Sequence, residues 1–449
     1  MTDAIRAWHD RLAEGSIAAE SATWLDARQR ERGLAFGDRP LCTVLRPRFL
    51  TPAQHRNLAL ACRDVLGALH VAGEHALADA DFRAAFRLAE WEEALLARLP
   101  RHRSVAPLIR LDAFLDPHDG TPRLTEVNGE TPAGPAYGDA LAELFLAMPV
   151  MRTFTRDWSV RPLPASPSLL ATLLACWRDA GRTGTPRVAI VDWADLPTHS
   201  EFRLVRDYLG RMGVPCVIAT PASLSFDGRV LRDGEGAPID LVYKRILLHE
   251  LVAEHGVEHP LLAATAAGAC VLVNSVHGKP LHKKASLAVL SDERHAHRFD
   301  AAQRAAIARH VPWTRVVEAR RTVVDGREVD LLEWIAAHRD ECVLKPNDDY
   351  GGAGIVLGWE VTAAEWDAAL AAALAAPTVV QRRVALPSEP FAAWHDGALR
   401  LDDRIVDTAP YCWQGAWMEG CLTRISTSTL VNVTAGGGST VPTFVVEPR

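Results

Sequence analysis

The stretch RLDAFLDPHDGTPRLTEVNGETPAG, residues 110–134, decides how the rest of the chain is read. VAPLIRLDAFL before and within it reads as a strand, DPHDGTP as a turn, and RLTEVN as a second strand. An Asp-Gly pair between apolar runs predicts a hairpin with a longer loop. Arg110 and Asp112 are two residues apart, as are Glu126 and Asn128. On a strand each pair shares one face. A register that brings the two faces together converges four polar groups. Two carboxylates and an amide oxygen at this spacing suit Mg²⁺, which wants oxygen ligands. Arg110 beside them is placed to clamp an anion or to stabilise developing negative charge. A polar hairpin with a surface Arg–Asp pair is the plain alternative. The segment Gly129–Gly134 that follows is rich in turn formers.

Outward from this hairpin, residues 186–246 alternate between strand and helix. RVAIVD, VPCVIA and IDLVYKRI read as strands, and EFRLVRDYLGRMG as a helix ending at Gly213. The pattern predicts half of a doubly wound sheet. No GxGxxG follows the first strand, so a dinucleotide site is not expected. From 271 onward ACVLVNS, ECVLKPN and PTVVQRRV read as strands, and HKKASLAVLSDE opens a helix. Thr362-Ala-Ala-Glu365 is a capping box before an alanine-rich helix, and TLVNVTAGGGST is a strand running into a triple glycine. Residues 1–100 read as a helical packing layer, with a lid over substrate as the alternative. Thr51-Pro-Ala-Gln54 is a capping box, and DADFRAAFRLAEWEEALLARL a further helix.

Composition narrows the class. The chain has 449 residues, 48% hydrophobic and 23% charged, with a formal net charge of −7. That length suggests two or three domains of roughly 150 residues. The mild acidity argues against nucleic acid and against a polybasic membrane surface. No apolar run approaches the roughly 18 residues of a membrane span, and no signal peptide is visible, so a cytoplasmic protein is expected. Eight cysteines are scattered singly, none as CxxC. They read as reduced buried thiols.

Only five of the 49 basic Lys and Arg residues are lysines, and all fall at Lys244, Lys279, Lys283, Lys284 and Lys345. Lysine is a compact point charge that commonly binds phosphate, so these five are the candidates for a phosphate site. The strongest is Lys345, six residues before the glycine turn Gly351-Gly352-Ala353-Gly354. A strand lysine and glycine N–H groups can hold the same phosphates. A glycine hairpin with a surface lysine is the alternative. Gln381 at a strand end is a weaker candidate for reading an adenine edge. Histidine spacing gives no zinc pattern, and no GxSxG or Ser-His-Asp arrangement is present.

Together these pieces resemble the ATP-grasp superfamily. Their order, with the E-x-N strand ahead of the lysines, is similar to its circularly permuted branch of glutathionylspermidine synthetase-like proteins. The resemblance rests on Arg110-x-Asp112, Glu126-x-Asn128, Lys284-Ala285, Lys345-Pro346 through Gly354, and the closing Arg424, Asn432 and Gly436–Gly438. It covers about 105–449. It implies an α/β (α+β) fold: a circularly permuted ATP-grasp core with a Rossmann-like pre-grasp domain and an N-terminal helical region. The implied parts are helices at 1–104, a metal-binding hairpin half at 105–165, the Rossmann-like domain at 166–270, and an ATP lobe with the closing strands at 271–449.

The resemblance also implies roles. ATP would be held by Lys284, Lys345, Gly351, Gly352, Gly354 and Gln381, and Mg²⁺ by Asp112, Glu126 and Asn128. Arg110 and Arg424 would act on the transferring phosphoryl group or the substrate carboxylate. Lys283 is adjacent to Lys284, so either could meet phosphate. Ala353 interrupts the glycine loop, and Gln381-Arg382-Arg383 lacks the acidic residue that would hold ribose. The implied reaction is ATP-dependent joining of a small-molecule carboxylate to an amine or thiol. A non-catalytic nucleotide-binding protein, a phosphotransferase and a metabolite-binding module without ATP are the other readings. Substrates and oligomeric state leave no sequence signal.

Overall fold

The computed structural model describes the chain except residues 38, 350 and 430–437. Except for Thr429, the expected TLVNV strand, with Asn432, lies outside the described residues, as do Gly436 and Gly437.

The hairpin forms as expected. Leu108–Leu115 pairs antiparallel with Pro122–Asn128, with Arg110 opposite Asn128 and Asp112 opposite Glu126. A bulge between Asp112 and Ala113 shifts the register beyond that point. The strand alternation sorts the two faces. Leu111, Ala113, Leu115 and Val127 pack in one core cluster with Leu58, Val65 and Leu69 of the long helix Pro52–Ala78. Arg110, Asp112 and Asn128 point the other way, into a cleft. Truncating Leu111, fully buried, would cost about 2–5 kcal/mol.

The hairpin belongs to a sheet closed by strands from the far end of the chain. Ala398–Trp413 pairs with Leu108–Leu115, and Trp417–Ser426 and Gly438–Val441 continue the sheet. The facing lobe is a four-stranded antiparallel sheet in the order Thr314–Val316, Thr378–Arg382, Cys342–Pro346, Val356–Leu357. Helices Leu331–Ala337 and Ala363–Ala375 cover it, through a core that includes Trp334, Ile335, Trp366 and Leu370. The Thr362/Glu365 capping box is formed.

The third unit is a parallel sheet of four strands. Val188–Val191 lies between Cys216–Ala219 and Leu241–Lys244, and Val271–Val273 pairs beyond the latter. This fourth strand begins just past the expected boundary at 270, so that boundary falls inside the sheet.

The N-terminal helices are a packing layer. Trp8 is fully buried, with its ring centroid 5.5 Å from that of Phe49 and 5.0 Å from that of Phe154. The Thr51/Gln54 capping box starts the helix Pro52–Ala78. The further helix expected over residues 79–99 is broken. Arg87 takes φ +57°, ending a short 3-10 turn, and Glu92 reaches back to the Ala89 N–H at 2.7 Å to start Glu90–Arg98. All eight cysteines are unpaired. No helix among the described residues is long and apolar enough to cross a membrane.

Candidate functional site

The cleft lies between the large sheet and the 314–382 lobe. Strand register explains the convergence. Asp407 is directly opposite Arg424, and Thr408 is opposite Ala113, so alternation places Asp407 and Arg424 on the face that carries Arg110 and Asp112. Arg110, Asp112, Glu126, Asn128, Lys345, Gly351, Gly352, Gln381 and Arg424 all line the cleft. Of the expected site residues, Lys284 and Gly354 stand outside its lining. Lys284 borders the site through Glu126, with Nζ to Oε1 3.2 Å. Its ammonium also donates to the Asp349 carbonyl. Gly354 takes φ +66°, and a Cβ there would come within 2.6 Å of Pro346 Cγ, so it closes the loop against the strand.

The hairpin charges are tightly paired. Arg110 Nε donates to Asp112 Oδ1 at 2.8 Å, and Arg424 Nη2 donates to Asp112 Oδ2 at 2.6 Å. Asn128 Nδ2 donates to Asp112 Oδ1 at 3.0 Å. Arg424 also bridges to Asp407. Burial would push Asp112 up, but the two guanidiniums outweigh it and hold its carboxyl well below the usual range. Burial wins at Asp407, which is pushed up to about 6. Its Oδ1 is buried and has no hydrogen-bond partner among the described residues. Glu126 is held low because Lys284 and Lys345 outweigh its burial.

Lys345 is the cation best placed to meet an anion. Its Nζ donates to two neutral oxygens, Gln381 Oε1 at 2.7 Å and the Thr125 carbonyl at 3.1 Å. Burial lowers it to about 8. Gln381 holds the lysine in place. Its Nε2 donates to Thr314 Oγ1 at 3.1 Å while its oxygen accepts from Lys345. Both ends of the amide are engaged in orienting the lysine, and its second N–H leaves one donor for a further acceptor. Trp359, Ile355, Leu357 and Leu386 supply an apolar wall that has no counterpart among the expected site residues. Arg383 stacks over Trp359 with its guanidinium carbon 4.1 Å from the ring centroid.

The other three lysines correct the expectation that all five are phosphate candidates. Lys244, Lys279 and Lys283 are buried in an ion network with Glu92, Glu130 and Asp348. Lys279 Nζ sits 2.7 Å from Glu130 Oε2 and 2.8 Å from Asp348 Oδ1, and Lys283 Nζ lies 2.8 Å from Glu92 Oε1. Three ammoniums balance three carboxylates, which is what makes such burial tolerable. His282 beside them is lowered to about 4, first by burial and then by Lys279, and is neutral. Glu130, His282 and Asp348 cluster closely enough to suggest a cation site, but the Lys279 ammonium already fills it. Between the adjacent pair, Lys283 belongs to this network, and Lys284 borders the cleft through Glu126.

An oxygen-only donor set fits a hard cation here. Asp112, Glu126 and Asn128 share the wall, and Asp407 Oδ1, without a partner among the described residues, adds a further oxygen. Each Asp112 oxygen accepts two donors, so that carboxylate is free to ligate only when the arginines turn to another anion.

No protein-family model matches the chain. It is 27% identical over 336 residues to a Frankia alni protein provisionally named glutamate–cysteine ligase 2-3. It is 26% identical over 338 residues to one of Frankia casuarinae provisionally named glutamate–cysteine ligase 2-2. Each alignment covers 72% of this chain and 36% of the relative, so the chain spans about a third of the length of the curated relatives it matches. Among solved structures it is similar to a glutathione synthetase-like effector of Globodera pallida in its apo form. The TM-score is 0.60 at 12% identity, over 97% of this chain and 99% of that one. A partial likeness to D-alanyl-alanine synthetase A of Vibrio cholerae, with TM-score 0.26, carries no argument. The likeness over 97% of this chain establishes the fold: the chain is a mixed α/β protein with a glutathione synthetase-like fold.

Proposed function

We propose that the protein is an ATP-dependent ligase that joins a small-molecule carboxylate to an amine or thiol through an acyl phosphate, releasing ADP and phosphate. The observation that carries this reading is the convergence in one cleft of Lys345, the 351–352 glycines, Arg110, Arg424 and three carboxylates, although they come from segments far apart in the chain. The ligase names of the two partial relatives support it. The hairpin preceding the lysine lobe, yet paired with the C-terminal strands, supports a circularly permuted order.

Lys345 and the glycine N–H groups hold the phosphates, with Lys284 completing the charge from beside Glu126. The apolar wall around Trp359 takes the base. Asp112, Glu126 and Asn128 would hold Mg²⁺, with Asp407 close by. That ion would supply positive charge to offset the charge of the phosphates. Arg110 and Arg424 rest on Asp112 and Asp407 and turn to the transferring phosphoryl group when it arrives. A substrate carboxylate oxygen attacks the γ-phosphorus and ADP leaves. The amine then attacks the acyl carbon, and phosphate leaves with the C–O bond. No side-chain nucleophile is needed; positioning and charge stabilisation do the chemistry.

Incubation with ATP, Mg²⁺, pooled small carboxylic acids and hydroxylamine tests this. The proposal expects a hydroxamate formed in step with ADP and phosphate. Formation of AMP and pyrophosphate, or ADP release with no hydroxamate, would contradict it.

A further inference from the structure

The parallel sheet turns back on its own order. Val188–Val191 comes first in the chain; the next strand pairs on one side of it and Leu241–Lys244 on the other. Crevices for small ligands open beyond the carboxyl ends of strands at such a point. The residues immediately after these two strands are Asp192 and Arg245. Both line a cavity there. Arg110, Asn128, Gly351 and Arg424 line it too, and they also line the nucleotide cleft. The two spaces therefore adjoin across the residues placed on the transferring group.

The charge in this chamber is uneven. Arg245 is neutralised by Glu201 at 3.0 Å, both buried. His282, also on the wall, is neutral. Asp192 is only 8% exposed, and no ion pair to it is found among the described residues. Its Oδ1 accepts the Trp193 backbone N–H at 2.9 Å. Glu250 lies on the same wall, and its Oε2 accepts the Trp193 indole N–H at 3.0 Å. Burial pushes Asp192 up to about 6 despite Arg245, and Glu250 adds to the rise. A buried carboxylate, a second acid and an indole together make a site for a positive head group. The guanidiniums of Arg110 and Arg424 line the same chamber.

We propose that this chamber is the acceptor site and takes a primary amine: Asp192, beside Glu250 and Trp193, binds the incoming ammonium and takes its proton, which frees the nitrogen lone pair for attack. The inference rests on the ligase reading, which requires a nucleophile next to the acyl phosphate.

Isothermal titration of the full chain tests it, with L-alanine methyl ester, L-cysteine methyl ester and 1,4-diaminobutane as probes. Each is paired with its N-acetylated counterpart. At least one amine is expected to bind, with its acetylated form about tenfold weaker or more. Asp192→Asn should weaken that amine at least about tenfold, the usual worth of a charge-assisted hydrogen bond, while ATP still binds. Glu250→Gln, which keeps an acceptor for the Trp193 indole, should weaken it in the same direction. Equal binding of amines and acetylated forms, no amine binding, or unchanged affinity in Asp192→Asn, with ATP still bound, overturns the acceptor site alone. Failure of the unaltered protein to bind ATP overturns the ligase reading and the acceptor site together.

Discussion

Replacing Glu130 by Gln removes one negative charge from the centre of the buried ion network and leaves its shape. Glu130 is 1% exposed. Its Oε1 meets Lys244 Nζ at 3.2 Å and the Leu248 N–H at 2.6 Å, and its Oε2 meets Lys279 Nζ at 2.7 Å. The amide oxygen of Gln can still accept from Leu248. Three ammoniums would then face two carboxylates in a dry site. Breaking one partner out of a buried pair costs about 3–5 kcal/mol. Lys244 offers partial relief, because burial already lowers it below the ordinary lysine range and it can shed its proton. The expected loss is therefore near the lower end, about 3 kcal/mol. A variant whose native state holds Lys244 neutral binds fewer protons folded than unfolded. Its stability then rises with pH, and the deficit should shrink towards about pH 10. Urea unfolding followed by tryptophan fluorescence reads the change in midpoint. Adding Lys244→Met restores the charge balance and should recover about 1–3 kcal/mol as a coupling energy. A Glu130→Gln variant within about 0.5 kcal/mol of the unaltered protein would refute the reasoning and return these lysines to the phosphate candidates.

Lys345 titrates at about 8 in the folded protein, so ATP affinity should fall as pH rises through that value and the ammonium is lost. Lys345→Arg should flatten the profile over the pH range around that value, and an unchanged slope in calorimetric titrations would contradict the assignment. The same lowered value fixes the sign of the lysine's contribution to stability: the unfolded chain binds the extra proton, so folding gains as pH rises from about 8 towards the unfolded value. Arg110→Ala should lower kcat by more than it weakens ATP binding, and the reverse pattern in steady-state kinetics would make it a binding residue. Gly354→Ala forces a Cβ into a left-handed position 2.6 Å from Pro346 Cγ. It should cost about 1–3 kcal/mol locally and weaken ATP binding through the displaced loop, read as a loss of the ATP-induced rise in melting temperature.

Much of the site is legible in the sequence because it is local. Arg110-x-Asp112 and Glu126-x-Asn128 need only period two and an Asp-Gly turn to share a face, and the hairpin register carries that through. The capping boxes at Thr51 and Thr362 are likewise four-residue signals. What the sequence hides depends on distant partners. Nothing near Lys279 or Lys283 announces Glu92, Glu130 and Asp348, so structural and cleft lysines look alike in one dimension. Glu130 itself reads as part of a turn. Asp407 lies in Ala398–Trp413, whose second half is buried on both faces while the first is largely exposed. That mixture erases the alternation that would mark a strand. The helix expected over 79–99 breaks at Arg87 because a capping interaction from Glu92 favours a fresh start over continuation.

The most direct test of the central claim is ATP-induced stabilisation with and without Mg²⁺, on the unaltered protein and on Glu126→Gln. The account predicts a rise of about 2.7 kcal/mol at about one hundred times the dissociation constant, dependent on Mg²⁺. It predicts that Glu126→Gln folds but loses the Mg²⁺-dependent part. No stabilisation by any nucleotide, or the same Mg²⁺-dependent rise in Glu126→Gln, would contradict it.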